Sequence, residues 1–196
     1  MFKRTIIFGI AALATLAFAA TKLSIEVGTI GDGATAEWVA TGEGKGQTAL
    51  QLCKNVPTAE FEAAGADIGG VNGLLVTDLT YLSFNAVDPI LSTGSPRWNI
   101  YFGPNDGDQW NITGVAFLGK TAEAGQTVAY TEEEIQAALV AAGAVDSDVV
   151  KFLQIIVDEE GCALLDNVRV GVAGTTTTFT GNGKANRGKG FLNNGK

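Results

Sequence analysis

Two short segments carry the side chains whose types and spacing could do chemistry: Tyr81 and Asn85 in YLSFNA, and Arg97, Asn99 and Tyr101 in RWNIYF. Residues two apart on a strand share a sheet face, so if Phe84, Ile100 and Phe102 turn inward, these five point outward together. Amide and guanidinium groups beside phenol rings suit a saccharide, whose hydroxyls take paired hydrogen bonds and whose C–H face stacks on an aromatic ring. The same groups can equally form a cross-strand network that only holds a sheet together. Trp110, beside a polar turn, reads either as a sixth member of that face or as a core residue, whereas Trp98, in phase with Ile100, reads as core.

A second cluster is Asn105-Asp106-Gly107-Asp108. It packs oxygen acceptors into a tight turn, the chemistry that a hard cation such as calcium takes, with Asp106 and Asp108 as ligands. Asn, Asp and Gly are also the ordinary residues of turns, and the full helix-loop-helix calcium pattern is missing. Catalytic patterns are scarce. The chain contains no histidine, so the usual base of a nucleophilic triad and the His ligands of a zinc site are absent from the sequence. The acids that fall in runs suit local structure instead. Glu132, Glu133 and Glu134 begin a helix, where negative charge is favourable, and Asp158, Glu159 and Glu160 read as a solvated turn. The reading is therefore of a chain that binds without catalysing.

The elements that must position these residues are strands. Leu82, Phe84 and Ala86 alternate with Tyr81, Ser83 and Asn85, and Trp98, Ile100 and Phe102 alternate with Arg97, Asn99 and Tyr101, the period of strands with one buried face. A turn-rich stretch at 92–96 separates them, as between neighbouring strands. Residues 109–113 predict another strand, and residues 151–157 and 163–172, flanking Asp158-Glu159-Glu160-Gly161, predict a hairpin. One helix stands out: Thr131 with Glu134 makes a capping box, Ile135 and Leu139 supply an apolar stripe, and Gly143 can end it. Short strands, Gly-rich turns and one crossover helix fit a two-sheet antiparallel sandwich. Thr175 to Thr180 can still be a strand; from Gly181 the composition is that of a disordered tail.

Composition and address narrow the function. Lys3 and Arg4, an apolar run from Ile6 to Phe18 and Ala17-Phe18-Ala19 have the pattern of a signal peptide. This divides the chain into a leader over 1–20, a sandwich domain over 21–174 and a basic tail over 175–196. No stretch reaches the length of a spanning helix, so no stable membrane insertion of the mature chain is expected, and the address is extracellular or cell-surface. Between Thr21 and Gly174 there are seven lysines and arginines against 21 acids, a balance that repels phosphate backbones and argues against nucleic acid as a partner. Lys184, Arg187, Lys189 and Lys196 carry the tail's charge. Cys53 and Cys162 are the two cysteines, and in an exported chain they either pair or remain as buried thiols.

The order DLTYLSFNAV, GSPRWNIYF, a capped helix, VVKFLQIIVDEEG and LLDNVRVGV resembles secreted bacterial and archaeal jelly-roll domains similar to carbohydrate-binding modules and galactose-binding-like folds, over about Gln47 to Val172. The resemblance implies an all-β jelly roll with a polysaccharide or cell-surface glycan as partner, and a structural calcium ion in many of its members. It also implies that the early and late strands lie side by side, bringing Cys53 and Cys162 into bridging range. A different class of function fits the same sequence: a structural or adhesive subunit that self-assembles through strand edges, with Leu23, Ile25 and Val27 either as a first strand or as a donated one.

Overall fold

The computed structural model describes residues 22–41 and 48–179. The leader over 1–20 and the tail from Gly181 onward lie outside the described residues. Ten strands form two antiparallel sheets of a jelly-roll sandwich. The first sheet has the order β1 (Ser24–Ile30), β4 (Ala63–Gly69), β9 (Asp148–Val157), β6 (Arg97–Pro104), β7 (Gly114–Leu118). The second has the order β2 (Ala34–Ala40), β3 (Thr48–Lys54), β10 (Gly161–Val172), β5 (Leu79–Ala86), β8 (Thr127–Thr131). From β3 to β6, and again from β8 to β10, the chain crosses between sheets at every step. An eleventh strand, β11 (Thr175–Phe179), pairs with the last part of β10, so the sandwich extends past the expected boundary at residue 174.

The period of two places the core as expected. Leu82, Phe84 and Ala86 of one sheet face Trp98, Ile100 and Phe102 of the other, all buried, and the rings of Phe84 and Trp98 lie 6.3 Å apart across the interior. Each large apolar side chain among them contributes about 1.5–3 kcal/mol by leaving water. The helix α1 (Glu132–Ala141) begins at the predicted capping box: Thr131 Oγ1 accepts from Glu134 N at 3.4 Å, and Thr131 N donates to Glu134 Oε2 at 2.9 Å. It carries the chain from β8 to β9, buries Ile135 and Leu139, and packs against β5, β7 and β8, closing one side of the sandwich. Gly143, just past the helix, sits at φ 93°, which a residue with a Cβ rarely adopts.

Three expectations about elements are corrected. Residues 109–113 are a turn, not a strand: Asp108 Oδ1 accepts from Trp110 N, Ile112 N donates to Trp110 O, and these local bonds replace a ladder. The segments at 151–157 and 163–172 are not a hairpin, because they belong to β9 and β10 in opposite sheets, and Asp158 to Glu160 is the crossing between them. For the same reason β5 and β6 are not neighbours on one sheet. The residues at 92–96 carry the chain from one sheet to the other, so the outward faces of the two strands point in opposite directions.

The early and late strands do lie side by side. Cys53 is directly opposite Cys162 in the β3–β10 register, and the two form a disulfide with Cα atoms 4.0 Å apart. Leu23 packs against the core of the chain's own sandwich. Ile25 and Val27 enter it through β1, which pairs with β4 over seven positions from Ser24↔Gly69 to Ile30↔Ala63.

Candidate functional site

Register turns the outer face of the five-stranded sheet into rows. One row runs Glu26, Asp67, Gln154, Asn99, Phe117 from one edge to the other. Beside it lie Gly28, Gly65, Ile156 and Arg97, and on its other side Phe152, Tyr101 and Val115. Alternation along each strand sends these side chains away from the core, where Leu153, Ile155, Trp98 and Ile100 occupy the intervening positions.

Of the six side chains expected to hold a ligand, this face gathers four. Arg97, Asn99 and Tyr101 stand on β6, and Trp110 reaches them from the turn that follows. The Trp110 ring centroid lies 5.2 Å from that of Phe152, which in turn meets Tyr101 edge-on at 6.3 Å. Three aromatic rings thus run along the sheet, and Trp110 remains half exposed. Tyr81 and Asn85 are not part of this face. They lie on β5 in the opposite sheet, where Asn85 Oδ1 accepts from Thr127 Oγ1 at 2.8 Å and Tyr81 stands opposite Thr131 and Gly171. The single five-residue face expected from alternation is therefore two faces, because alternation fixes which residues of one strand share a side but not which strands share a sheet.

Next to Arg97 the face deepens into a cavity of about 420 Å³. Its floor is Arg97, Asn99, Tyr101 and Ile156, Phe117 stands on one side, and residues 58–63 form a wall on the other. Arg97 is held from several directions. Its guanidinium binds Asp158 bidentately at 2.6 Å to both oxygens, donates through Nε to Asn99 Oδ1 at 3.0 Å and through Nη1 to Gly94 O, and lies over the Phe117 ring at 5.2 Å. Asn99, with its Oδ1 taken by Arg97, directs Nδ2 toward Tyr101 Oη at 3.4 Å. Asn99 is buried, so its work is to orient neighbours, while the groups open to a ligand are the rings of Tyr101, Trp110 and Phe117.

The acceptor turn at 105–108 holds a cation of the protein's own. Lys151, at the bulge where β9 has one residue more than β6, sends its ammonium into the turn. Its Nζ donates to Pro104 O at 2.6 Å, Asp108 O at 2.6 Å and Asp106 Oδ1 at 3.1 Å, so its three N–H groups are all used. Asp106 Oδ2 accepts from Asn111 Nδ2 at 2.6 Å and Oδ1 from Asp108 N at 3.0 Å. Those bonds, Asn111 first and then Asp108 and Lys151, hold the Asp106 carboxyl at about 2, below its ordinary 3.8. Asp108 Oδ1 then receives Trp110 N at 2.9 Å, which sets the tryptophan on Phe152. A Cβ at Gly103 would collide with Asn111 O, so the loop bearing Trp110 seats closely on bare backbone. Among the described residues no group of three or more His, Cys, Asp or Glu is placed to hold a metal ion.

Sequence reasoning missed Phe117, Phe152, Gln154, Lys54 and the wall at 58–63. Phe117 had a signal available, since Val115 to Leu118 is a short apolar run after a glycine, but the strand expected at 109–113 stops short of it. Gln154 Nε2 donates to Asp67 Oδ1 at 2.6 Å, a cross-strand pair that only the register reveals.

No protein-family model matches the chain, and no curated protein matches it. Solved structures that align with it include two of family 11 carbohydrate-binding modules from Clostridium thermocellum and one of CtCBM11. The module of cellulosomal cellulase Lic26A-Cel5E is 12% identical with a TM-score of 0.44, over 77% of this chain and 88% of that one. The module in complex with a β-1,3-1,4-mixed-linked tetrasaccharide is 13% identical with a TM-score of 0.45, over 81% and 92%. The solution structure of CtCBM11 is 14% identical with a TM-score of 0.47, over 79% and 98%. The jelly roll itself rests on the strand order and register of this chain.

Proposed function

We propose that this protein binds polysaccharide without cleaving it, on the outer face of the five-stranded sheet. The observation that carries the reading is the run of Trp110, Phe152 and Tyr101 along that face, leading to a cavity flanked by Phe117. Trp110, half exposed, and Tyr101, partly exposed, offer ring surface for stacking on the C–H faces of pyranose units, with Phe152 between them and edge-on to Tyr101. The rigid bonds behind them, from Arg97 to Asn99 and from Asp108 to Trp110, lower the ordering cost of binding. Asp158, which lines the cavity together with Glu60 and Glu62, is bound bidentately by Arg97, so both of its oxygens are engaged and its role is to hold Arg97. The partner in this reading is an extracellular polysaccharide or a cell-surface glycan. The disulfide suits an oxidising compartment and so supports secretion; no helix among the described residues is long and apolar enough to cross a membrane.

The test is retention of the purified chain by soluble mixed-linkage β-glucan, xylan, galactomannan and pectate in affinity electrophoresis. Saturable retardation by one of them is expected. Migration unchanged in all four, with insoluble cellulose and chitin also failing to deplete the protein from solution, would refute the reading.

A further inference from the structure

Phe61 is 91% exposed, yet it does not sit on a loose loop. Its loop, residues 55–62, follows β3 and is tied at both ends and in the middle. Asn55 N donates to Gly33 O at 2.7 Å, Glu62 Oε2 accepts from Gly33 N at 2.6 Å, and Thr58 Oγ1 accepts from Glu160 N at 2.9 Å. The strongest tie is Lys54, 1% exposed. Its Nζ donates to Thr58 O at 3.1 Å, Glu60 O at 2.5 Å and Asp158 O at 3.1 Å. An ammonium has three N–H groups, and each of them holds a backbone carbonyl. Two of those carbonyls belong to the Phe61 loop and the third to the residue whose carboxylate grips Arg97.

A lone exposed phenylalanine needs no explanation. This one lines the same cavity as Phe117 and Tyr101, from the opposite wall, on a loop fixed by a buried charge. We infer that Phe61 and Phe117 form a second aromatic subsite, which takes the C–H face of a pyranose ring belonging to the same glycan chain that lies over Tyr101 and Trp110, and that Lys54 is the positioning residue that holds Phe61 there. The inference rests on the polysaccharide reading and adds to it a site and a minimum length. Arg97 and Tyr101, which both line the cavity, are four residues apart on β6, about 13 Å of strand, longer than one pyranose ring, so a glycan that reaches both the Phe61–Phe117 subsite and Tyr101 is an oligomer.

The experiment measures, by isothermal titration, the affinity of wild type, Phe61→Ala, Lys54→Met and the double variant for whichever of the four soluble polysaccharides retains wild type. Phe61→Ala alters an exposed side chain and leaves the fold intact, so it decides the matter even if Lys54→Met does not fold. Loss of one stacking ring is expected to weaken binding about tenfold. Lys54→Met is expected to weaken it to a similar extent, and the double variant no further, because the lysine acts through the ring. An affinity for Phe61→Ala within about twofold of wild type would overturn the subsite while leaving the polysaccharide reading standing. Additive losses in the double variant would overturn the role of Lys54. Binding of none of the polysaccharides by wild type would overturn the reading beneath and the subsite with it.

Discussion

Four of the five N–H groups that a guanidinium carries are taken up inside the protein at Arg97, so most of its donor capacity is used within the fold. The sequence places Arg97, Asn99 and Tyr101 on one side of a strand, which is correct, but residue type alone suggests that all three touch a ligand. The bonds give Arg97 and Asn99 a supporting role, and in the proposed reading the rings are what meets the ligand. Asp106 and Asp108 show the same limit. Their type and spacing suggest calcium, and what fills the turn is Lys151, 45 residues downstream of Asp106; no local pattern announces a partner at that distance. Two predictions belong here. A ligand that binds only the folded state raises the melting temperature by mass action; with Lys151 among the oxygens, millimolar calcium is expected to leave it unchanged, and a rise in differential scanning fluorimetry would contradict this. The Asp106 carboxyl titrates at about 2 in the fold against 3.8 ordinarily. A depressed folded value means that its contribution is complete above the unfolded value and is lost as pH falls through the folded one. Urea midpoints of wild type are therefore expected to fall more steeply than those of Asp106→Asn between 3.8 and about 2, and parallel curves would show that the bonds to Asn111 and Lys151 do not form.

At the scale of elements, the strands were legible where one face is buried, because burial imposes a period of two on residues such as Leu82, Phe84 and Ala86. The helix was legible to the residue at its start because a capping box satisfies specific backbone donors. The pairing of strands was not. A short polar connection such as Asp158 to Glu160 can close a hairpin or cross between sheets, and the difference lies in partners contributed from elsewhere: β9 pairs with β4 and β6, and β10 with β3 and β5. The strand expected at 109–113 failed for a related reason, since Asp108 offers the backbone a local alternative to a ladder. The disulfide is the element-scale constraint that both the resemblance and the register support. It closes a separation of 109 residues, for which the chain-entropy model gives about 4–5 kcal/mol. That is a large share of a typical domain's roughly 5–15 kcal/mol. Replacing Cys53 and Cys162 by alanine is expected to lower the unfolding free energy by up to that amount in urea titrations. A change below about 1 kcal/mol would mean that β3 and β10 are held as firmly without it.

For the whole molecule, the jelly roll gives two outward faces pointing in opposite directions, and only the face bearing the run of rings is proposed to bind. Tyr81 and Asn85 on the other sheet carry the same residue types as Tyr101 and Asn99, so composition cannot choose between the faces. The choice rests on the run of rings from Trp110 to Tyr101 and on the cavity beside Arg97, and it makes a built-in control. The direct measurement is the affinity of two double variants, Tyr101→Ala with Trp110→Ala and Tyr81→Ala with Asn85→Ala, for the polysaccharide that wild type retains, with thermal unfolding of each recorded alongside. Loss of binding in the first, retention in the second, and both folded is the predicted result. Binding that survives in the first, or is lost in the second while its fold remains, would contradict the assignment of the face.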